Sequence, residues 1–248
     1  MSSTQPILSV RNVSKRFVGV QALADVSMDL HPGEVVALAG DNGAGKSTLI
    51  KAISGVIHHD EGEIFYDGRA VHFETPLEAR ANGIETIYQD LALADNLSIG
   101  ANIFLGREPK TKAFGFLPII DRAKMARVAQ ETMALLDFHV TRLDAPVSNF
   151  SGGQRQAVAI GRAVYWNAKV LIMDEPTAAL GVPEQRKVVE LILRLKDQGK
   201  GIIFISHNLG DIFAVSDRIV VLRRGIKAGE RKASETNGDE IVKLMVGA

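Results

Sequence analysis

Lys46 and Ser47 stand near the end of the run Gly40-Asp41-Asn42-Gly43-Ala44-Gly45-Lys46-Ser47-Thr48, which fits the pattern GxxxxGK[ST] in full. Residues of these types at this spacing hold phosphate. Glycines let the backbone close around phosphate oxygens, and the loop N–H groups and the following helix N-terminus face the anion. Lys46 is expected on the β- and γ-phosphates of a nucleotide, with the Ser47 hydroxyl on Mg²⁺. A second chemical pair, Asp174-Glu175, ends the apolar run Val170-Leu171-Ile172-Met173. Open α/β sheets bind ligands at the C-terminal ends of their strands. Asp174 is therefore expected in the Mg²⁺ shell, and Glu175 is expected to orient and polarise the attacking water.

The elements that must position these groups are legible in the hydropathy pattern. Val35-Val36-Ala37-Leu38-Ala39 reads as a buried strand and residues 48–54 as a helix start, the strand–loop–helix context the phosphate motif requires. Val170 to Met173 and Ile202-Ile203-Phe204-Ile205 read as buried parallel strands. Residues 7–34 alternate apolar and polar and read as antiparallel strands, joined by 63–73. Residues 35–89 and 167–225 carry the buried strands. Between them, helical patterns dominate roughly 90–165. Asp121 is placed to cap a helix with apolar positions Met125, Val128, Ala129, Met133 and Leu136. Gly106, Pro109, Gly115 and Pro118 make 106–118 an expected exposed loop. Residues 184–196 read as an amphipathic helix with a core-facing stripe, and 239–246 as a short terminal helix.

Composition bounds the function. The 248 residues are 46% hydrophobic, enough for one large α/β domain with a sizeable core. Lys+Arg and Asp+Glu are both 29, so no basic field draws in nucleic acid, and none is expected as a partner. The absence of cysteine excludes a disulfide framework. Residues 1–6 carry neither a basic n-region nor an apolar h-region, so no signal peptide is expected. No apolar run approaches the roughly 18 residues that span a bilayer.

A third motif narrows the class. Ser151-Gly152-Gly153-Gln154 follows Asn149-Phe150 and opens an apolar helical stretch at 157–166. A serine hydroxyl, two glycines and a helix N-terminus suit either an ordinary helix cap or the grip on a γ-phosphate. Here the chain resembles the ATP-binding-cassette (ABC) ATPases, with Phe150 replacing the usual leucine of their LSGGQ signature. The resemblance covers essentially the whole chain, with the motifs in family order. It implies a single ABC-type P-loop domain over 1–248, with an N-terminal antiparallel β-subdomain and a helical subdomain at about 90–165. It also implies ATP and Mg²⁺ as the bound species, held by residues 40–48 and by a signature from another subunit. By the same resemblance His207 contacts the γ-phosphate. Gln89, in Ile87-Tyr88-Gln89-Asp90, approaches Mg²⁺ and water on a loop that touches a membrane partner. Phe17 stacks on adenine; its alternative is a core aromatic of the N-terminal sheet. One departure stands out: Gly181 follows Ala178-Ala179-Leu180 where the family usually carries an aspartate linking the two sites of a dimer.

The stretches Asn96-Leu97-Ser98, 101–108 and 241–247 look like those of bacterial monosaccharide importers, fructose-type first, ribose- and xylose-type next. That likeness implies a head-to-tail homodimer on a separate permease at the cytoplasmic face of the inner membrane, served indirectly by a periplasmic sugar-binding protein. Two alternatives remain: the motor of an ABC exporter, and a soluble non-transport ABC ATPase. The importer-like stretches count against the first. The lack of long coiled coils, of a second cassette and of a basic surface counts against the second.

Overall fold

The computed structural model describes residues 5–113, 116–138, 142–178 and 180–247. Met1 to Thr4, Gly115 of the expected loop and Ala179 of the Ala178-Ala179-Leu180 stretch lie outside the described residues. In chain order the elements are β1 (Leu8–Phe17), β2 (Val20–Leu30), β3 (Val35–Ala39), α1 (Lys46–Ile53), β4 (Glu61–Tyr66), β5 (Arg69–Val71) and α2 (Pro76–Ala81). They continue with β6 (Ile84–Ile87), α3 (Ile99–Ile103), β7 (Lys110–Ala113), β8 (Leu117–Ile120), α4 (Arg122–Leu135) and α5 (Gly152–Tyr165). The last are β9 (Val170–Asp174), α6 (Val182–Asp197), β10 (Gly201–Ile205), α7 (Leu209–Val215), β11 (Arg218–Arg223), β12 (Ile226–Lys232) and α8 (Gly238–Val246).

A six-stranded sheet, ordered β12-β11-β3-β10-β9-β6, forms the centre. Its strands from β11 to β6 run parallel, and β12 closes one edge antiparallel to β11. The continuous apolar runs follow from burial on both faces. In β3, Val35, Ala37 and Ala39 pack into one core while Val36 and Leu38 pack into the other. The same period of two sends Leu171 and Met173 one way and Val170 and Ile172 the other in β9. The first core holds the central sheet against α3, α4, α5 and α6. The second holds it against α1 and the antiparallel sheet β2-β1-β4-β5.

The N-terminal antiparallel strands and the expected helices are present. Asp121 caps α4, its side chain accepting from the Lys124 N–H at 2.8 Å, and Met125, Val128, Ala129, Met133 and Leu136 are buried. The expected loop at 106–118 is different. Lys110 to Ala113 pairs antiparallel with Leu117 to Ile120, making a two-stranded ribbon. Pro118 signals a break in a sequence, but either strand of a ribbon is an edge, and a proline there removes no ladder bond the fold needs. The ribbon leaves Phe116, Leu117, Ile119 and Ile120 exposed.

Asn102, fully buried on α3, fixes the chain that leads from β6 into the helices. Its amide nitrogen donates to the carbonyls of Ala94, Leu97 and Ser98, and its oxygen accepts from the Ala94 N–H at 2.7 Å. With every polar atom of the amide used, this buried group costs nothing in unmade bonds.

Candidate functional site

β3 ends at Ala39 and the chain turns through Gly40 to enter α1 at Lys46. The turn demands glycine: Gly40 has φ +150°, and a Cβ there would lie 2.4 Å from the Leu222 carbonyl oxygen. Gly45, the residue before α1, has φ +106°, and a Cβ would press on the Ala22 carbonyl at 2.8 Å. Lys46 is a charged residue only 7% exposed, and its Nζ donates to the carbonyls of Gly40 at 2.6 Å and Asp41 at 3.0 Å. Burial pushes this ammonium below the usual lysine range, against the pull of Glu175, Asp174 and Asp41.

The loop forms one wall of an open cleft of about 430 Å³. Residues Asp41, Asn42, Gly43, Ala44, Gly45, Lys46, Ser47 and Thr48 line it, and Phe17, Gln89, Asp174, Glu175 and His207 complete it. Asp174 ends β9, and burial raises its carboxyl above the usual aspartate range against Lys46 and His207. Glu175 follows in a left-handed conformation, φ 53°, held by its N–H donating to the Ile205 carbonyl at 2.9 Å. Burial raises its carboxyl too, opposed chiefly by His207. His207 Nε2 stands 3.3 Å from Glu175 Oε1, yet that oxygen is buried with no hydrogen-bond partner among the described residues. Phe17, at the end of β1, is 45% exposed, which removes the alternative of a core aromatic.

These features fit a nucleotide and its metal. Two half-buried carboxyls sit at raised pKa despite Lys46, and one carboxylate oxygen has no hydrogen-bond partner, so the cleft has charge and polar valence left for a further cation. Ser47, Gln89 and Asp174 offer it only oxygen donors, the set that suits Mg²⁺.

Ser151, Gly152, Gly153 and Gln154 are not among the residues lining this cleft. They open α5 with a reciprocal cap: Ser151 Oγ accepts from the Gln154 N–H at 3.3 Å, and Gln154 Oε1 accepts from the Ser151 N–H at 3.0 Å. A Cβ at Gly152 would lie 2.9 Å from Leu180, and one at Gly153 would lie 2.8 Å from Glu184. The two glycines therefore let α5 abut the start of α6. Gly181 precedes α6 without a capping side chain.

Three features beyond the motifs support the site. Arg162, buried on α5, donates from Nη1 to the Ala92 carbonyl at 3.1 Å and from Nη2 to the Leu91 carbonyl at 3.5 Å. Leu91 and Ala92 are consecutive residues with φ of 51° and 47°, just beyond Gln89. Glu85 on β6, buried and raised in pKa by that burial, faces Arg80 at 3.1 Å and feels Arg162. Beyond β9, Thr177 Oγ1 donates to Asp211 Oδ2 at 2.7 Å, tying the segment after Glu175 to α7. An arginine amid the apolar stripe of α5 was the only trace of this in the sequence.

A family profile described as ABC transporter matches residues 23–178. The xylose/arabinose import ATP-binding protein XylG of Sulfolobus acidocaldarius is 49% identical over 96% of this chain and 93% of its own length. The fructose import ATP-binding protein FrcA of Rhizobium meliloti is 45% identical over 98% of this chain and 95% of its own. Among solved structures, the ADP conformation of MJ1267, an ATP-binding cassette of an ABC transporter, superposes with a TM-score of 0.81 at 26% identity, covering 99% of this chain and all of that one. The cleft, the fold and these likenesses agree: the chain belongs to the ABC transporter family, as an ATP-binding cassette with ATPase activity.

Proposed function

We propose that the chain is the motor subunit of a sugar importer, hydrolysing ATP in a head-to-tail dimer of cassettes at the cytoplasmic face of a membrane. The observation that carries the reading is the make-up of the cleft. It gathers the phosphate loop, Gln89, Asp174, Glu175 and His207 but none of Ser151, Gly152, Gly153 and Gln154. An exposed helix N-terminus, whose capping serine keeps its hydroxyl proton to donate, is then a surface to offer to a second chain's γ-phosphate.

In this reading Lys46 exchanges its two carbonyl partners for phosphate oxygens. Ser47, Asp174 and Gln89 would hold Mg²⁺, which would supply positive charge against that developing on the phosphates. Glu175, already set by its left-handed backbone, orients the attacking water and draws off its proton, while His207 binds a γ-phosphate oxygen. Phe17 stacks on the base. Closing the dimer around ATP and parting after hydrolysis supplies the two states that drive a permease.

Docking on the permease would use the helical zone. An apolar groove of about 730 Å³, bounded in part by Leu97, Ala101, Ile120 and Met125, lies there, and the ribbon that supplies Ile120 also exposes Phe116 and Ile119. Among the described residues no helix is long and apolar enough to cross a membrane, so a membrane position would rest on such docking. The transported solute is a monosaccharide, fructose, xylose or ribose in class, delivered by a periplasmic binding protein. The likeness to both a xylose/arabinose and a fructose cassette supports the class and does not choose within it. Uptake of labelled fructose, xylose and ribose in a strain deleted for this chain tests the proposal. Uptake of one of them should vanish and return with the parent but not with Glu175→Gln; normal uptake of all three would remove these substrates.

A further inference from the structure

Away from the nucleotide cleft, three residues that ligate metals converge. His58 lies in the loop that leaves α1, His72 follows β5, and Glu74 precedes the Thr75 cap of α2. His58 Nε2 is 3.6 Å from Glu74 Oε2, and His72 Nε2 is 3.5 Å from Glu74 Oε1. One ligating atom from each of the three lies within 4.8 Å of the other two.

We propose that His58, His72 and Glu74 form a surface site for a divalent transition metal, with Zn²⁺ the best fit. Zinc bonds imidazole nitrogen at about 2.0–2.1 Å and carboxylate oxygen at about 2.0–2.2 Å, so neighbouring ligand atoms in a tetrahedron stand roughly 3.3–3.5 Å apart. Each nitrogen stands within a few tenths of an ångström of that edge length from one Glu74 oxygen, His58 from Oε2 and His72 from Oε1, so turning these exposed side chains brings the three onto one ion. The two imidazoles are stacked, with centroids 4.9 Å apart and planes at 18°, and both turn Nε2 toward the one carboxylate. Two nitrogens and one oxygen select zinc, copper or nickel over Mg²⁺, the reverse of the oxygen-only set around Asp174.

The backbone builds this convergence. Gly55 sits so close to Phe73 that a Cβ would lie 2.8 Å from the Phe73 Cβ, so the exit of α1 and the segment carrying His72 and Glu74 abut. The Glu74 N–H donates to Glu78 Oε2 at 2.9 Å, fixing the chain beside the carboxylate. His59 packs edge-on to His72 at 5.6 Å. All three ligands are exposed, which leaves the metal an open path and room for water in the remaining position. A bound ion would staple the loop behind α1, the helix that begins at Lys46, to the antiparallel sheet.

The test is calorimetric titration of Zn²⁺ into the tag-free chain, with His58→Ala, His72→Ala, Glu74→Gln and, as a control for the nucleotide cleft, His207→Ala. The expected result is one equivalent bound by the parent with Kd below about 50 μM, and a thermal midpoint raised by roughly 5–10 °C at a hundredfold excess over Kd. Each of the three ligand variants should weaken binding on the order of tenfold or more while keeping the parent ATPase rate, and His207→Ala should bind as the parent does. Weaker binding by the parent, a smaller loss in His58→Ala and His72→Ala, or loss in His207→Ala instead would overturn the site.

Discussion

His207 Nε2 and Glu175 Oε1 stand 3.3 Å apart across the floor of the nucleotide cleft, on the ends of adjacent parallel strands β10 and β9. Glu175 adopts φ 53° to reach that position. A left-handed non-glycine costs on the order of 1 kcal/mol and persists only where its surroundings over-determine it. Here the N–H bond to the Ile205 carbonyl does so, and the carboxylate is aimed before any nucleotide arrives.

Lys46→Ala removes the one cation of the phosphate loop. ATP turnover should fall below detection in a phosphate-release assay, while circular dichroism stays that of the parent, because the Lys46 ammonium bonds only the loop's own Gly40 and Asp41 carbonyls. Turnover near the parent rate would refute the assignment of the loop.

Glu175→Gln keeps shape and removes the charge. Hydrolysis should nearly stop while nucleotide still binds. Burial raises the Glu175 pKa in the folded chain, so ionising it costs the fold free energy at pH above that raised value. The glutamine variant should therefore melt a few degrees higher, ~2–4 °C, at pH 7.5 without nucleotide. The difference should shrink as pH falls through the raised value, where the parent's carboxyl is protonated too. An unchanged or lower midpoint at pH 7.5 would contradict the desolvated carboxylate.

The same shift shapes the rate profile. A water-orienting Glu175 must be ionised, so kcat/KM, which reports the free protein, should fall on the acid side with a midpoint above the ordinary glutamate value of about 4.5. Asp174, also raised, adds to that limb. An acid limb with its midpoint at or below the ordinary glutamate value would exclude Glu175 from the proton-accepting role.

Arg162→Met should be costly although it touches neither nucleotide nor metal. It strips the Leu91 and Ala92 carbonyls of their donor and takes a cation from buried Glu85. A loss of about 1–3 kcal/mol in urea unfolding is expected. Relaxation of the left-handed pair after Gln89 should also lower kcat more than it raises KM for ATP. A variant as stable and active as the parent would show that the Gln89 loop is held elsewhere.

The parallel core was legible because strands buried on both faces have no polar positions to blur them, as Val170 to Met173 illustrates. The phosphate loop was legible because Gly40 and Gly45 answer close approaches that admit no Cβ, and Gly43 a positive φ. The ribbon at 110–120 was not, since Pro118 marks a break whether or not the chain pairs around it. Nor were Arg162 with Leu91 and Ala92, or Thr177 with Asp211: in each, one polar side chain joins segments far apart in the chain, and periodicity is blind to such pairs. The serine of the signature had two open readings, cap and phosphate grip. Its capping box settles the first and leaves its exposed face free for the second.

The central claim is that the signature of one chain completes the cleft of another. The chain has no cysteine, so introduced thiols report cleanly. In a Glu175→Gln background, chains carrying Asn42→Cys are mixed with chains carrying Ser151→Cys and oxidised mildly. With ATP and Mg²⁺ the mixture should give a disulfide-linked species of twice the chain mass, absent without nucleotide and absent when Lys46→Ala is added. A mixture that binds ATP yet stays monomeric, or a single chain bearing both cysteines that closes the bond within itself, would contradict the composite site.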